Sequence, residues 1–381
     1  MAKKTEKKSA LPQQPSATES LAVKYRPRTL KDVKGQENAV AAIKGMIKDR
    51  KYPGAILITG PSGTGKTTLA RILATYMNAD DPKKVKESMA YKLGEKHPDI
   101  MTLNAGTNGK VEDIRTLVKG SRSAPMTNYR VIIIDEAHKL TGASAEALLV
   151  PMEEPPARTI WILCTTDPEK LLDTMQNRCV KLHLRPVEPE HIIARLGEVA
   201  EAEKIKMGKE KEAKKALSAI AQLSDGSMRN AISILENLMF AVAGGMDFSA
   251  EGALKSYVES GAADLDKAAA SMVAASLNLD LPGAVSMIRR ADNPRGIVYK
   301  SRVLIDFLIG EKTKTAKFQP YTGRVFKQVA EKMEIKYNLK ALLLLQTVIT
   351  NVELQMNSCS IAEAVLLQTA IGNFIIENKA E

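Results

Sequence analysis

The stretch "AILITGPSGTGKTTLARIL" (55–73) limits the possible folds more than any other part of the chain. A short apolar run, a glycine-rich turn and a helix-forming run follow one another. Within them Gly60-Pro61-Ser62-Gly63-Thr64-Gly65-Lys66-Thr67 matches the P-loop pattern without deviation. The glycines at 60, 63 and 65 let the backbone bend until its N–H groups converge on a β-phosphate, and the following helix adds its N-terminal dipole. In this reading Lys66 bridges the β- and γ-phosphates and the Thr67 hydroxyl ligates Mg²⁺. Pro61, Ser62, Thr64 and Thr68 complete the cradle. A glycine-rich turn holding an accidental lysine would not come with a strand before it and a helix after it.

Five apolar runs, 55–59, 100–104, 130–134, 159–165 and 179–184, alternate with helical stretches. Continuous apolar strands in that arrangement predict an α/β unit with a five-stranded parallel sheet covered on both faces. "YRVIIIDEAHKL" (129–140) ends one of these strands in two acids at the sheet's C-terminal edge, beside the P-loop. Asp135 is read as holding Mg²⁺ through water and Glu136 as polarising the attacking water. The same two acids would also serve simply to cap the next helix. The letters "DEAH" suggest an RNA helicase, but such proteins need a second motor domain. His138 is therefore read as a surface residue or one that supports the site from behind.

From Glu188 onward the strand signal stops. Stretches 191–205, 210–245, 339–356 and 360–377 carry apolar residues at helical spacing, and Gly244–Gly245 closes the second of them. A chain of 381 residues has room for two or three domains. The division read here is a basic disordered tail at 1–20, the sheet unit at 21–186, helices at 187–248 and a further all-α region at 249–381. The lysines of the tail are read as solubilising, with a targeting signal or a DNA-tethering arm as the alternatives.

No apolar run reaches the roughly 18–20 residues of a membrane span, and the first residues lack the hydrophobic segment of a secretion signal. A cytoplasmic protein with no membrane partner is expected. Three cysteines, Cys164, Cys179 and Cys359, form no CxxC pair, which argues against both a zinc framework and a disulfide scaffold. A net charge of +11 suits a polyanionic partner and a solvated basic surface equally well.

Taken together these residues resemble the clamp-loader family of AAA+ ATPases, specifically the bacterial DNA polymerase III gamma/tau subunits and the replication factor C small subunits. The likeness runs from Lys24 to about Leu238. "KYRPRTLKDVKGQE" (24–37), "HPDIMTLNAGTNGKVEDIR" (97–115), "EEPP" (153–156) and "CTTDPEKL" (164–171) match in order and spacing.

The resemblance implies ATP and Mg²⁺ as cofactors and assigns roles residue by residue. Tyr25, Arg26, Pro27 and Val33 flank the adenine. Thr166, at the end of the fourth strand, corresponds to sensor 1, which monitors the γ-phosphate. Arg229 in "GSMRNAIS" corresponds to the sensor 2 arginine of a helical lid. Asn104 resembles the polar residue that restrains the catalytic glutamate until DNA is bound. "QNRC" (176–179) stands where the family carries serine-arginine-cysteine, so Arg178 is implied to reach the ATP of the neighbouring subunit, with Asn177 in place of the usual serine. An intrachain salt bridge for Arg178 and a solvated helix position for Arg229 are the plainer alternatives.

Thr107, Asn108, Gly109 and Lys110, at the start of one helix, and Lys139 and Thr141, before another, are candidate DNA-phosphate contacts. Capping or a solvated turn would account for each nearly as well. The implied partners are the other subunits of a ring of about five, a sliding clamp and primer–template DNA. The all-α region would be the oligomerising collar.

Two departures stand out. Residues 78–97 hold no cysteine where the bacterial subunit inserts a four-cysteine zinc module, so no zinc is expected. The long tau extension is also absent, so the chain reads as a compact version from a bacterium or a virus that infects one. Two competing readings are a Holliday-junction branch-migration motor, which would end in a winged-helix domain with a β-hairpin, and a scaffold subunit that binds ATP without hydrolysing it.

Overall fold

The computed structural model describes residues 19–259, 263–289, 294–314, 321–332, 335, 337–358 and 363–379. Residues 1–18 of the expected tail, and Cys359, lie outside the described residues. The sheet has five parallel strands: β1 (Ala55–Thr59), β2 (Ile100–Asn104), β3 (Arg130–Asp135), β4 (Thr159–Thr165) and β5 (Val180–His183), in spatial order β2-β3-β4-β1-β5. The expected first, second and fourth strands are observed as read. The third runs one residue further, to Asp135, and the fifth is shorter at both ends, where Cys179 and Leu184 fall outside the ladder.

Side chains alternate across the sheet, and both faces are apolar. Ile56, Ile58, Ile133, Ile162 and Cys164 pack on one side against α1 (Glu37–Asp49) and α2 (Lys66–Met77), through Ile43, Leu69 and Leu73. Leu57, Ile132, Ile134, Trp161 and Leu163 pack on the other against α3 (Val111–Ser121) and α4 (Gly142–Glu153), through Ile114, Leu117 and Leu148. This is why the central strands β1, β3 and β4 read as apolar runs, while the edge strands β2 and β5 carry exposed polar residues such as Thr102 and Lys181. Parallel strands also bring all their C-terminal ends to one edge, so the P-loop after β1 and Asp135 at the end of β3 meet there.

After β5 every regular element among the described residues is a helix. A first group, α5 (Pro189–Ala202), α6 (Glu210–Leu223), α7 (Met228–Ala243) and α8 (Ala250–Glu259), shares a core that includes Ile192, Leu196, Ile220, Leu235 and Tyr257. The helical pattern over 210–245 is two helices. Asp225 (φ 50°) and Gly226 (φ 76°) turn the chain left-handed between α6 and α7, and the Ser227 hydroxyl caps α7 by accepting from Asn230 N. A Cβ on Gly226 would lie 2.6 Å from the Pro186 Cβ, and Val187 N donates to Gly226 O at 2.9 Å. This turn therefore packs against the segment that leaves β5.

A second group, α9 (Ala263–Leu277), α10 (Leu281–Arg289), α11 (Pro294–Lys312), α12 (Tyr321–Lys332), α13 (Leu339–Ser358) and α14 (Glu363–Lys379), has its own core around Val273, Leu304, Phe326, Leu345 and Ile371. A buried ion cluster joins the two groups. Lys300 Nζ on α11 lies 2.5 Å from Asp225 Oδ2 and 3.0 Å from Asp266 Oδ1, and Tyr257 and Thr322 hydroxyls donate to Asp266. Burial alone would lower the Lys300 pKa, but the two carboxylates outweigh it and raise it.

Removing one partner of a buried pair leaves an uncompensated charge. Lys300→Met is therefore expected to destabilise the C-terminal helices by about 3–5 kcal/mol. A denaturant midpoint equal to that of the wild-type chain would contradict this.

Candidate functional site at the P-loop

The loop between β1 and α2 has the positive φ angles its glycines permit: 142° at Gly60, 75° at Gly63 and 105° at Gly65. Gly63 is also needed for space, since a Cβ there would sit 1.9 Å from the Ser227 Oγ that caps α7. Arg229 N donates to Gly63 O at 3.4 Å. The α7 N-terminus thus rests directly on the P-loop.

Lys66 is 7% exposed, and its Nζ donates to Gly60 O at 2.8 Å and Pro61 O at 2.9 Å, so the ammonium is folded back onto the loop it would serve. Burial lowers its pKa, against the pull of the Cys164 thiol, Glu136 and Asp135. The Thr67 hydroxyl donates to Asp135 Oδ2 at 2.7 Å. A hydroxyl and a carboxylate in contact beside a phosphate-shaped loop make a hard oxygen donor set that fits Mg²⁺.

Glu136, the residue after β3, is left-handed at φ 53°, ψ 40°, a conformation that costs a non-glycine residue about 1–3 kcal/mol and concentrates at working sites. Its Oε2 lies 3.4 Å from His138 Nε2 and 3.8 Å from Lys139 Nζ. The His138 side chain is only 8% exposed, so it supports the site from behind and is not a surface residue. Its Nδ1 is 3.0 Å from Thr165 Oγ1. Burial lowers the imidazole pKa, against the pull of Asp167 and Glu136.

One cleft brings most of the sequence-predicted residues together. Ser62, Gly63, Thr64, Gly65, Lys66, Thr67 and Thr68 line it from the P-loop, and Asn104, Asp135 and Glu136 from the strand ends. Tyr25, Arg26, Pro27 and Val33 line it from the N-terminal segment, and Arg229 from α7. Gly60 and Pro61 contribute their carbonyls to Lys66 instead. Within the cleft, Tyr25 donates its hydroxyl to Glu203 (2.6 Å), Arg26 pairs with Glu95 (3.1 Å), and Asn104 Oδ1 accepts from Gly106 N (2.8 Å).

Several residues stand elsewhere. Thr166 is one position beyond β4, is not part of the cleft lining, and donates its hydroxyl to Asp167 Oδ2 at 2.6 Å. Arg178 lies outside its own chain's cleft and makes the salt bridge that was the plainer alternative, Nη2 to Glu153 Oε2 at 2.7 Å. Its Nη1 donates to Thr174 O at 2.8 Å, while its Nε is buried without a hydrogen-bond partner.

The expected single helix start at 107–110 is also corrected. Thr107 and Asn108 belong to a four-residue helical turn, Ala105–Asn108, capped by Asn104, and only Gly109 and Lys110 directly precede α3. Thr141 caps α4 by accepting from Ser144 N, and Lys139 ends a short 3₁₀ turn facing Glu136.

Sequence reasoning missed Arg195, which lines the cleft and donates to Tyr25 O at 2.7 Å. Its signal was there to read, as a charge within the buried stripe Ile192, Leu196, Val199 of α5. It also missed Met228, Ile232 and Val187, apolar residues that wall the cleft around Tyr25.

The family described as "DNA polymerase III, delta subunit" matches residues 35–188. DNA polymerase III subunit tau of Salmonella typhimurium is 31% identical over 294 residues, 76% of this chain and 44% of the relative. Subunit gamma of Buchnera aphidicola is 36% identical over 58% of this chain and 60% of its own length. The replication factor C small subunit of Staphylothermus marinus is also 36% identical, over 56% of this chain and 60% of the relative.

The chain spans less than half the length of the tau relative and three fifths of the other two. Among solved structures, the Thermotoga maritima RuvB Holliday junction branch migration motor aligns at 21% identity with a TM-score of 0.48, covering 61% of this chain and 72% of that one. With a parallel sheet and a P-loop, the chain is thus similar in sequence to DNA polymerase III gamma/tau subunits and replication factor C small subunits.

Proposed function

We propose that the chain is the ATP-hydrolysing subunit of a sliding-clamp loader, one member of a ring of about five that opens a clamp and places it on primer–template DNA in the cytoplasm. The observation that carries this reading is one cleft lined by Lys66, Thr67, Asp135, Glu136 and Arg229, with Thr67 donating to Asp135. Its likeness to gamma/tau and replication factor C relatives supplies the biological setting.

In this account the adenine lies between Tyr25–Pro27, Val33 and the apolar wall of Met228 and Ile232. Backbone N–H groups of residues 62–67 receive the phosphates, and Lys66 turns from its carbonyls to the β- and γ-oxygens. Thr67 and Asp135 hold Mg²⁺, which when bound neutralises phosphate charge. Glu136 accepts the proton of the attacking water, and Asn104 restrains it until DNA arrives. Thr166 and Arg229 read the terminal phosphate.

Arg178 acts on the neighbouring subunit's ATP. The Glu153 pair that holds it within one chain is no obstacle. Arg178 and Glu153 side chains are 29% and 60% exposed, and such surface pairs contribute about 0–1 kcal/mol. Helices after residue 249 form the collar. The exposed Thr107, Asn108 and Lys110, with Gly109, Lys139 and Thr141, are the DNA-backbone contacts. The apolar helical core of residues 263–379 favours this reading over a branch-migration motor, whose end would carry a β-hairpin.

The test is direct. The full chain should bind ATP, and Lys66→Ala should weaken binding by at least about 10²-fold, since two charge-assisted hydrogen bonds are lost. Equal affinities measured by calorimetry would contradict the site.

A further inference from the structure

His138 is the group that joins Glu136 to the segment Thr165–Asp167. Thr165 Oγ1 accepts from Asp167 N at 3.0 Å, so its own hydrogen is free to go to His138 Nδ1. We take Nδ1 as the acceptor, because Nε2 is the nitrogen that faces carboxylates, and the neutral ring's one N–H is then on Nε2. Nε2 faces two carboxylates at nearly equal range, Glu136 Oε2 at 3.4 Å and Asp167 Oδ2 at 3.5 Å. One N–H cannot serve both well, and the distances show it committed to neither. What differs is the other company each carboxylate keeps. The same Asp167 Oδ2 already accepts the Thr166 hydroxyl at 2.6 Å, with Lys170 Nζ at 3.7 Å, whereas Glu136 Oε2 has Lys139 Nζ at 3.8 Å.

We propose that His138 is a positioning residue that couples Thr166 to Glu136 by moving its single Nε2–H contact between Asp167 and Glu136. While Thr166 supplies Asp167, the imidazole N–H steadies Glu136. When the Thr166 hydroxyl turns to a terminal phosphate oxygen, Asp167 loses that donor and draws the N–H, and Glu136 is free to orient water. No covalent bond changes in this step; only hydrogen-bond partners do. The inference rests on the proposed ATPase reading of the cleft and adds to it how the state of the phosphate reaches the carboxylate.

The chain has four histidines, so ¹⁵N-histidine labelling of the full chain, assigned with His138→Gln, resolves the ring directly. The expected tautomer is Nε2–H, with a ¹⁵N signal that differs between ADP and a non-hydrolysable ATP analogue. Thr166→Val should abolish that difference. In turnover, His138→Ala and His138→Asn should each lower kcat by at least about tenfold with unchanged ATP affinity. His138→Gln, whose amide nitrogen reaches the Nε2 position, should restore most of it.

An Nδ1–H tautomer, or a signal identical with both nucleotides, overturns the coupling whatever the turnover. Equal loss in the Gln and Asn variants does the same, because that is what a packing role would give. A wild-type chain that binds both nucleotides and shows the expected signals but hydrolyses nothing would leave the coupling standing and remove the ATPase reading.

Discussion

Arg178→Ala protein should fold, assemble and bind ATP with nearly wild-type affinity, yet hydrolyse it about 10³–10⁵-fold more slowly, the contribution of an arginine finger supplied in trans. Its own cleft should not notice the change, because Arg178 does not line it. What is lost within the chain is an exposed salt bridge to Glu153, and surface pairs of that kind contribute about 0–1 kcal/mol. The buried Nε without a partner argues the same way: the guanidinium is not fully satisfied where it lies. Mixing separates trans from cis action. Lys66→Ala and Arg178→Ala proteins are each inactive alone, but where they occupy adjacent positions an intact P-loop can meet an intact Arg178 and recover turnover. Wild-type turnover by Arg178→Ala rings, with nothing gained on mixing, would make Arg178 a structural partner of Glu153 and nothing more.

Glu136→Gln should separate binding from chemistry. The amide keeps the size and the hydrogen-bonding reach of the carboxylate but cannot accept the water's proton, so kcat should fall by about 10²–10⁴ while ATP affinity stays the same. The variant should accumulate as an ATP-bound assembly. Its left-handed backbone supports this assignment, because a strained conformation persists only where its surroundings enforce it. The Thr67–Asp135 contact is untouched by the substitution, so metal and phosphate binding are not expected to change. Normal steady-state hydrolysis by Glu136→Gln protein would remove Glu136 from the chemistry.

The sheet and the P-loop side of the cleft were legible because their signals are local. The central strands β1, β3 and β4 are buried on both faces, so each appeared as one apolar run, and the glycines of GPSGTGKT mark a phosphate-binding turn. The break between α6 and α7 was harder to see, because apolar spacing continues on both sides of Asp225–Gly226, although Ser227 was an available N-cap signal.

What sequence could not supply was the direction of side chains across space. Thr166 follows β4 immediately, but a neighbour, Asp167, captures its hydroxyl. The fragment "EEPP" was noticed without any hint that Glu153 meets Arg178. Nothing in the sequence singled out Lys300, and only packing of α11 against the Asp225 turn and α9 makes it the centre of a buried cluster. The DNA-facing positions were the least legible, since capping, as at Thr141, uses the same residue types as phosphate binding.

The measurement closest to the central claim is the steady-state ATPase rate of the full chain, purified with its co-expressed partners, with and without primer–template DNA and a sliding clamp. A clamp-loader ATPase should speed up with primer–template and rise further when the clamp is added, and the DNA effect should fall steeply with salt, as contacts to phosphate do. A rate that ignores both additions at every salt concentration would contradict the account.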